Sequence, residues 1–128
     1  MKLLLDTHVF IWSKSDNSRI SARAWSPLHD PENQLFLSSI SIAEMAIKIA
    51  AGKLTLGAPF GEFVEMGMQN AGIVSVPLSA ASATRLADLP LHHRDPFDRL
   101  LVATAQEENL IFLTNDPEIH KYSVAVVW

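Results

Sequence analysis

The 128-residue sequence has no cysteine and no long apolar run. Without cysteine it can form neither disulfide bonds nor metal sites built on thiolates. Only three leucines follow Lys2 before Asp6 interrupts them. That run is too short for the apolar region of a signal peptide, and no run approaches membrane-spanning length. We therefore expect one domain over residues 1–128, in the cytoplasm and without membrane contact.

The sequence also lacks an excess of basic residues, with fourteen Asp and Glu against ten Lys and Arg and a formal net charge of −4. A broad basic surface of the kind that binds nucleic acid is therefore not indicated. Four of the acids, described below, are predicted to share one pocket, and the other ten would balance the ten basic residues. Cations held in that pocket would still allow a polyphosphate ligand, so net charge alone does not exclude a nucleic-acid substrate.

Sequence motifs of several common enzyme classes are missing. Neither G-x-x-x-x-G-K-[ST] nor G-x-G-x-x-G occurs, which excludes nucleotide-binding loops of those kinds. No G-x-S-x-G occurs either, so the nucleophile elbow of serine hydrolases is absent. The chain has 48% hydrophobic and 19% charged residues, which is ordinary for a globular protein with a single core.

Apolar runs of strand length alternate with helical stretches, which is the pattern of βαβ units and a parallel sheet. The near-continuous apolar character of Leu3–Leu5 and Ile111–Leu113 indicates strands covered on both faces. We predict a three-layer α/β/α sandwich with a central, mainly parallel sheet. The predicted strands lie near residues 2–6, 34–39, 73–77, 110–114 and 124–128. The predicted helices cover residues 7–13, 18–28, 41–51, 59–71, 79–88 and 96–108.

Four acids occupy positions where this fold would gather carboxylates. Asp6 and Asp116 each follow a predicted buried strand, Glu44 lies in the first turn of the helix after the strand at 34–39, and Asp98 opens the helix before the strand at 110–114. The carboxyl ends of parallel strands form the ligand crevice of such sheets. Oxygen ligands of this kind suit Mg²⁺ or Mn²⁺.

Each acid also has a structural interpretation. Ser41 to Glu44 fits the S-x-x-E capping box. Asp95-Pro96 and Asp116-Pro117 fit a helix cap followed by proline. The negative charge of Asp98 would interact favourably with the dipole at the start of its helix. Asp6 is the hardest to explain locally, although it could cap a helix that begins at Thr7. Taken together, four converging carboxylates would repel one another unless a cation or a proton neutralises them, and this favours a metal site.

Neighbouring residues are weaker candidates. His92 and His93 are adjacent, so their rings should point apart, and we interpret them as loop residues at the rim of the pocket. His8 is expected to pack on the first helix. Arg94 and Arg99 flank the acidic segment, where one could contact a phosphate or either could pair with the neighbouring acids.

Four segments resemble, in order, the four motifs of PIN domains, and within that family the VapC-like toxins of bacterial type II toxin–antitoxin pairs. The segments are Leu4 to His8, Ser41 to Glu44, Arg94 to Ala105 and Leu113 to Asp116. The resemblance spans essentially the whole chain, and four motifs in the right order are quite specific. It implies a metal-dependent endoribonuclease, usually a homodimer, that a small and often DNA-binding antitoxin holds inactive.

The resemblance also implies roles for individual residues. The family's four acids fall on Asp6, Glu44, Asp98 and Asp116, with Asp95 as an extra acid that would bind metal, cap its helix or do both. One or two Mg²⁺ or Mn²⁺ ions would support hydrolysis of RNA to 5′-phosphate and 3′-hydroxyl ends. Thr7, Thr114 and Asn115 are placed to orient the carboxylates.

Two alternatives remain open at the level of sequence. A Mg²⁺-dependent phosphatase would use Asp6 as a phosphorylated nucleophile, but such enzymes usually carry a second acid two residues later, where this chain has His8. A PIN fold can also serve as a non-catalytic binding module. All four acids are present, so the sequence shows no sign that catalytic residues have been lost.

Overall fold

A computed structural model describes all residues from Met1 to Trp128, and its centre is a five-stranded sheet in the order β3-β2-β1-β4-β5. Every neighbouring pair of strands is parallel. The strands are β1 (Lys2–Leu5), β2 (Gln34–Ser38), β3 (Val74–Val76), β4 (Ile111–Leu113) and β5 (Val126–Val127). The helices are α1 (Thr7–Ser15), α2 (Ala22–His29), α3 (Ser39–Ala50), α4 (Phe60–Asn70), α5 (Ala80–Arg85) and α6 (Pro96–Glu107).

Strand β1 shows why the fold has three layers. Its side chains alternate between the two faces of the sheet, so Leu3 and Leu5 join one buried cluster and Leu4 joins another. The first cluster includes Val9 and Phe10 of α1, and the second includes Leu101 of α6. Apolar cores on both faces confirm the predicted α/β/α sandwich. No helix has the length and apolar character that crossing a membrane requires.

Several boundaries differ from the predicted ones because caps and short turns divide the chain more finely than its apolar pattern. The helix predicted at 18–28 begins at Ala22, after a 3₁₀ turn at Asn17–Arg19, because the Ser21 hydroxyl accepts the amide of Ala24. The helix predicted at 79–88 ends at Arg85 and continues as the 3₁₀ turn Leu86–Asp88.

The topology places three chain segments side by side at one edge of the sheet. β1 pairs with β2 on one side and with β4 on the other, so the residues that follow these three parallel strands lie at the edge where such sheets bind ligands. The amide of Asp6 donates to the Leu113 carbonyl at 3.0 Å, which holds the residues after β1 and β4 together. α3 and α6 pack against each other over this edge.

Candidate metal centre

Asp6 occupies the centre of this edge and is 4% exposed. It stands at the N-cap position of α1 but makes no side-chain cap hydrogen bond. One carboxylate oxygen, Oδ2, accepts the Thr114 hydroxyl at 2.5 Å, while Oδ1 is buried without any hydrogen-bond partner. Burial raises the pKa of Asp6, with the nearby Glu44 charge adding to that shift and the Thr114 hydrogen bond opposing it. The capping interpretation of Asp6 therefore fails, and its free oxygen needs a cation or a proton.

Glu44 is buried beside Asp6, but its local setting differs from the predicted one. α3 begins at Ser39, and the Ser38 hydroxyl caps it by accepting the Ile40 amide at 3.1 Å. Glu44 therefore lies in the second turn, not the first, and the Ser41 capping box does not form. Instead, Glu44 Oε1 accepts the Thr7 hydroxyl at 2.7 Å, and the hydroxyls of Thr7 and Ser41 lie 2.9 Å apart.

Lys48 lies one helical turn beyond Glu44, and the sequence analysis did not single it out. Its Nζ donates to Glu44 Oε2 at 2.6 Å, and this hydrogen bond raises the pKa of Lys48 despite partial burial. The charges of Asp95 and Asp98 shift it in the same direction. The signal in the sequence is the i, i+4 spacing from Glu44, which places both side chains on one helix face.

We expect Lys48→Met to destabilise the metal-free protein by about 1–3 kcal/mol, because it leaves the buried Glu44 carboxylate without its charged donor. Lys121→Met is the matched control, since it removes an exposed Lys–Glu pair at i, i+3 whose loss should cost about 0–1 kcal/mol. Urea unfolding in EDTA measures both. Equal losses in the two variants would mean that Lys48 is only a surface charge.

Asp98 is the third residue of α6, and its side chain is 16% exposed. Its Oδ2 lies 3.2 Å from His93 Nε2. Burial is the main cause that raises the pKa of Asp98 to about 8, followed by the charges of Asp6, Asp95, Glu44 and Asp116. The repulsion among these acids indicates that they point into one volume.

Asp95 is the N-cap of α6. Its Oδ1 accepts the Phe97 amide at 2.9 Å, and Pro96 follows at the first helical position. The structure therefore assigns Asp95 the capping role. The neighbouring charge still contributes to the raised pKa of Asp98, so Asp95 lies close to the cluster.

We expect Asp95→Asn to leave stability and Mn²⁺ affinity nearly unchanged, since Asn caps a helix about as well as Asp. Asp98→Asn should weaken Mn²⁺ binding strongly because it removes a proposed ligand oxygen as well as a charge. Isothermal titration of both variants with MnCl₂ makes the comparison. A larger loss in Asp95→Asn would move the third acid of the site from Asp98 to Asp95.

Asp116 completes the group from the loop after β4. Its Oδ1 accepts the Glu118 amide at 2.9 Å, its Oδ2 lies 2.8 Å from His93 Nε2, and its own amide donates to the Thr114 hydroxyl. Thr114 therefore contacts two of the acids, through Asp6 Oδ2 and the Asp116 amide. The local turn at Asp116 and its place in the cluster coexist, because each carboxylate oxygen has two lone pairs.

His93 lies inside this cluster rather than at the rim where the sequence pattern put it. Its Nε2 and one oxygen each of Asp98 and Asp116 all lie within 4.8 Å of one another. His92, by contrast, is exposed and packs edge-on against the Tyr122 ring at 5.0 Å between centroids. The rings of the two histidines therefore have different contacts, and only that of His93 meets the acids.

The remaining candidates lie around the cluster. Arg94 is exposed, whereas Arg99 Nη2 donates to the Leu89 carbonyl at 3.1 Å. Asn115 is exposed and makes no side-chain hydrogen bond in the structure. His8 is exposed on α1, with its ring 5.7 Å from that of Trp12.

The donor set fits a hard divalent cation. Apart from His93 Nε2 it consists of carboxylate oxygens. It includes the partnerless Asp6 Oδ1, and no lysine or arginine forms an ion pair with Asp6, Asp98 or Asp116. Mg²⁺ and Mn²⁺ prefer such oxygen ligands. The same residues could not serve as a soft metal site, because the chain has no cysteine.

Known proteins share the sequence pattern and the fold of this chain. The PIN domain family model matches residues 3–125. Ribonuclease VapC22 of Mycobacterium tuberculosis is 28% identical over 120 residues, which cover 94% of this chain and 91% of that protein.

Two crystal structures share the fold. VapBC2 from Rickettsia felis, bound to a DNA fragment from their promoter, has a TM-score of 0.74 at 16% identity, with 98% of this chain and 97% of that chain covered. VapBC-5 from Mycobacterium tuberculosis, a member of the VapBC family of toxin–antitoxin systems, has a TM-score of 0.60 at 18% identity, with 98% and 94% covered. Because the family model spans nearly the whole chain, the protein belongs to the PIN domain family.

Proposed function

We propose that this protein is a Mg²⁺- or Mn²⁺-dependent endoribonuclease and the toxin of a toxin–antitoxin pair. The observation that carries the proposal is the buried, partnerless Oδ1 of Asp6 among three further carboxylates. Support also comes from the relative named as a ribonuclease and from the likeness to VapBC structures.

Under this proposal all four acids bind the one or two ions. Asp6 offers its free oxygen from the centre, while Glu44, Asp98 and Asp116 surround it from α3, α6 and the loop after β4. Thr7 and Thr114 fix the orientation of Glu44 and Asp6 through their hydroxyls, and such supporting contacts typically change metal affinity or activity by about 10–100-fold.

When bound in such a site, divalent ions activate water and neutralise charge on the scissile phosphate and the leaving oxygen. The expected products are 5′-phosphate and 3′-hydroxyl ends. Arg94 is the better candidate for a phosphate contact, because it is exposed while the Arg99 side chain is engaged with the Leu89 carbonyl. The partners under this proposal are an RNA substrate, a cognate antitoxin and a second copy of the chain, all in the cytoplasm.

The test is incubation of the purified protein with RNA in EDTA and in MnCl₂, followed by analysis of the product ends. Internal cleavage that requires Mn²⁺ and leaves 5′-phosphates supports the proposal. RNA binding without cleavage would indicate a binding module. Release of phosphate from a small phosphomonoester, without chain scission, would indicate the phosphatase alternative.

A further inference from the structure

The His93 imidazole spans the gap between two acids of the proposed metal centre. Nε2 lies 2.8 Å from Asp116 Oδ2 and 3.2 Å from Asp98 Oδ2. These distances alone fit two roles. Nε2 could bind the metal ion itself through its lone pair, or it could donate its proton to the carboxylates that bind the ion.

The other ring nitrogen decides between these roles. The backbone amide of Asp95 donates to His93 Nδ1 at 3.0 Å. Nδ1 must therefore present its lone pair, so the ring proton lies on Nε2. Binding of a metal by Nε2 would move that proton to Nδ1, where it would face the Asp95 amide proton. The local backbone thus fixes His93 as a donor toward Asp98 and Asp116.

The loop that carries His93 is held in place independently of the acids. The His93 amide donates to the hydroxyl of Tyr122 at 2.9 Å, and Tyr122 is buried in the core beside α6. Arg99 of α6 reaches back to the Leu89 carbonyl at the start of the same loop. These contacts hold the backbone of the loop that carries the ring without involving the acids.

We propose that His93 is a positioning residue that holds the Asp98 and Asp116 carboxylates together through its Nε2 proton and does not itself bind the ion. The proposal rests on the metal-dependent function inferred above. A donor between two carboxylates offsets their repulsion and fixes their orientation. It also leaves an all-oxygen ligand set, which favours Mg²⁺ or Mn²⁺ over metals that prefer nitrogen.

The first test uses the wild-type protein labelled with ¹⁵N. Long-range ¹H–¹⁵N spectra of the histidine rings report which nitrogen carries the proton, in EDTA and with excess Mg²⁺. We expect His93 to have its proton on Nε2 in both conditions. Loss of the Nε2 proton when Mg²⁺ is added would show that His93 is a ligand and would overturn the proposal.

The second test is titration of MnCl₂ into wild type, His93→Ala, His93→Gln and the control His92→Gln. His93→Ala should bind Mn²⁺ about 10–100-fold more weakly. Gln can place an amide donor near the position of Nε2, so His93→Gln should recover most of that affinity. The exposed His92 should be replaceable without effect. Thermal melts in EDTA confirm that each variant folds.

The outcomes separate this inference from the function on which it depends. Wild-type affinity in His93→Ala would overturn the positioning role while leaving the metal site intact. Equal weakening in His93→Ala and His93→Gln would also overturn it, because the donor would then not be what matters. Absence of Mn²⁺ binding by the wild type would contradict the proposed function itself.

Discussion

The Asp6→Asn variant is expected to lose Mn²⁺-dependent RNA cleavage by more than about 100-fold, which is more than about 2.7 kcal/mol in the activation free energy. Supporting contacts around metal ligands are typically worth 10–100-fold, so a central ligand should exceed that range. Asn can still accept the Thr114 hydroxyl, but its amide group would replace the free Oδ1. A charged oxygen acceptor for the cation is thereby exchanged for a donor of the same shape.

A matched control separates loss of this ligand from a general loss of negative charge. Asp88 is exposed in the 3₁₀ turn before the His93 loop and forms no ion pair, so Asp88→Asn should cleave RNA like the wild type. Circular dichroism and thermal melts check that Asp6→Asn is folded. A folded Asp6→Asn variant with wild-type cleavage rates would contradict the assignment of Asp6.

The second large effect concerns stability, since Asp98→Asn should stabilise the metal-free protein at pH 7–8. The pKa of Asp98 is about 8 in the folded state against an ordinary 3.8. Between about pH 4 and pH 8 the folded state therefore holds a proton that the unfolded state has released, and stability falls as pH rises through this range. Asn carries no such proton. The gain should be on the order of 1–4 kcal/mol near pH 8, or several degrees in Tm.

Added metal, in contrast, should stabilise the wild type more than the variant. A divalent ion should stabilise the wild type by about 2.7 kcal/mol at a hundredfold excess over Kd, and Asp98→Asn by less. If Asp98 only complemented the dipole of α6, the substitution would lower the free energy of unfolding of the metal-free protein by about 0.3–1 kcal/mol, and its Tm would fall. Thermal melts of both proteins at pH 6 and pH 8, in EDTA and in MnCl₂, distinguish the two cases. A destabilised variant without a metal response would remove the electrostatic basis of the site.

The sheet and the positions of the acids were predictable because they follow from local patterns. The apolar runs around Leu4 and Phe112 required strands buried on both faces, and those strands are central and parallel in the structure. Once they lie side by side, Asp6 and Asp116 must emerge at the same edge. The order of the four acids, which matches the PIN-domain motifs, then indicated metal-dependent hydrolysis of RNA.

Other features of the site depend on competition between equivalent local signals. Three serines, Ser38, Ser39 and Ser41, precede Glu44, and each could cap the helix. The structure uses Ser38 because β2 remains paired with β3 through that residue and the chain turns directly into α3. Glu44 is consequently buried in the second turn, free of any cap and facing Thr7.

His93 could not be placed from the sequence because two of its contacts, with Asp116 and Tyr122, are distant along the chain. Its ring reaches Asp116, 23 residues away, and its amide reaches Tyr122, 29 residues away. A pair of adjacent histidines predicts only that their rings diverge, and the fold decides which ring faces the acids. The contact between Lys48 and Glu44 could have been predicted from their i, i+4 spacing. A lysine four residues after a glutamate, however, more often forms a solvent-exposed ion pair with it.

Anomalous diffraction from a crystal soaked in MnCl₂ tests the central claim most directly, since it locates every bound Mn²⁺ without reference to activity. We predict a peak at about 2 Å from Asp6 Oδ1, with oxygens of Asp98 and Asp116 or Glu44 completing the contacts and His93 Nε2 outside bonding distance. A well-ordered site at saturating Mn²⁺ with no peak among these carboxylates would contradict the claim that they form a metal centre.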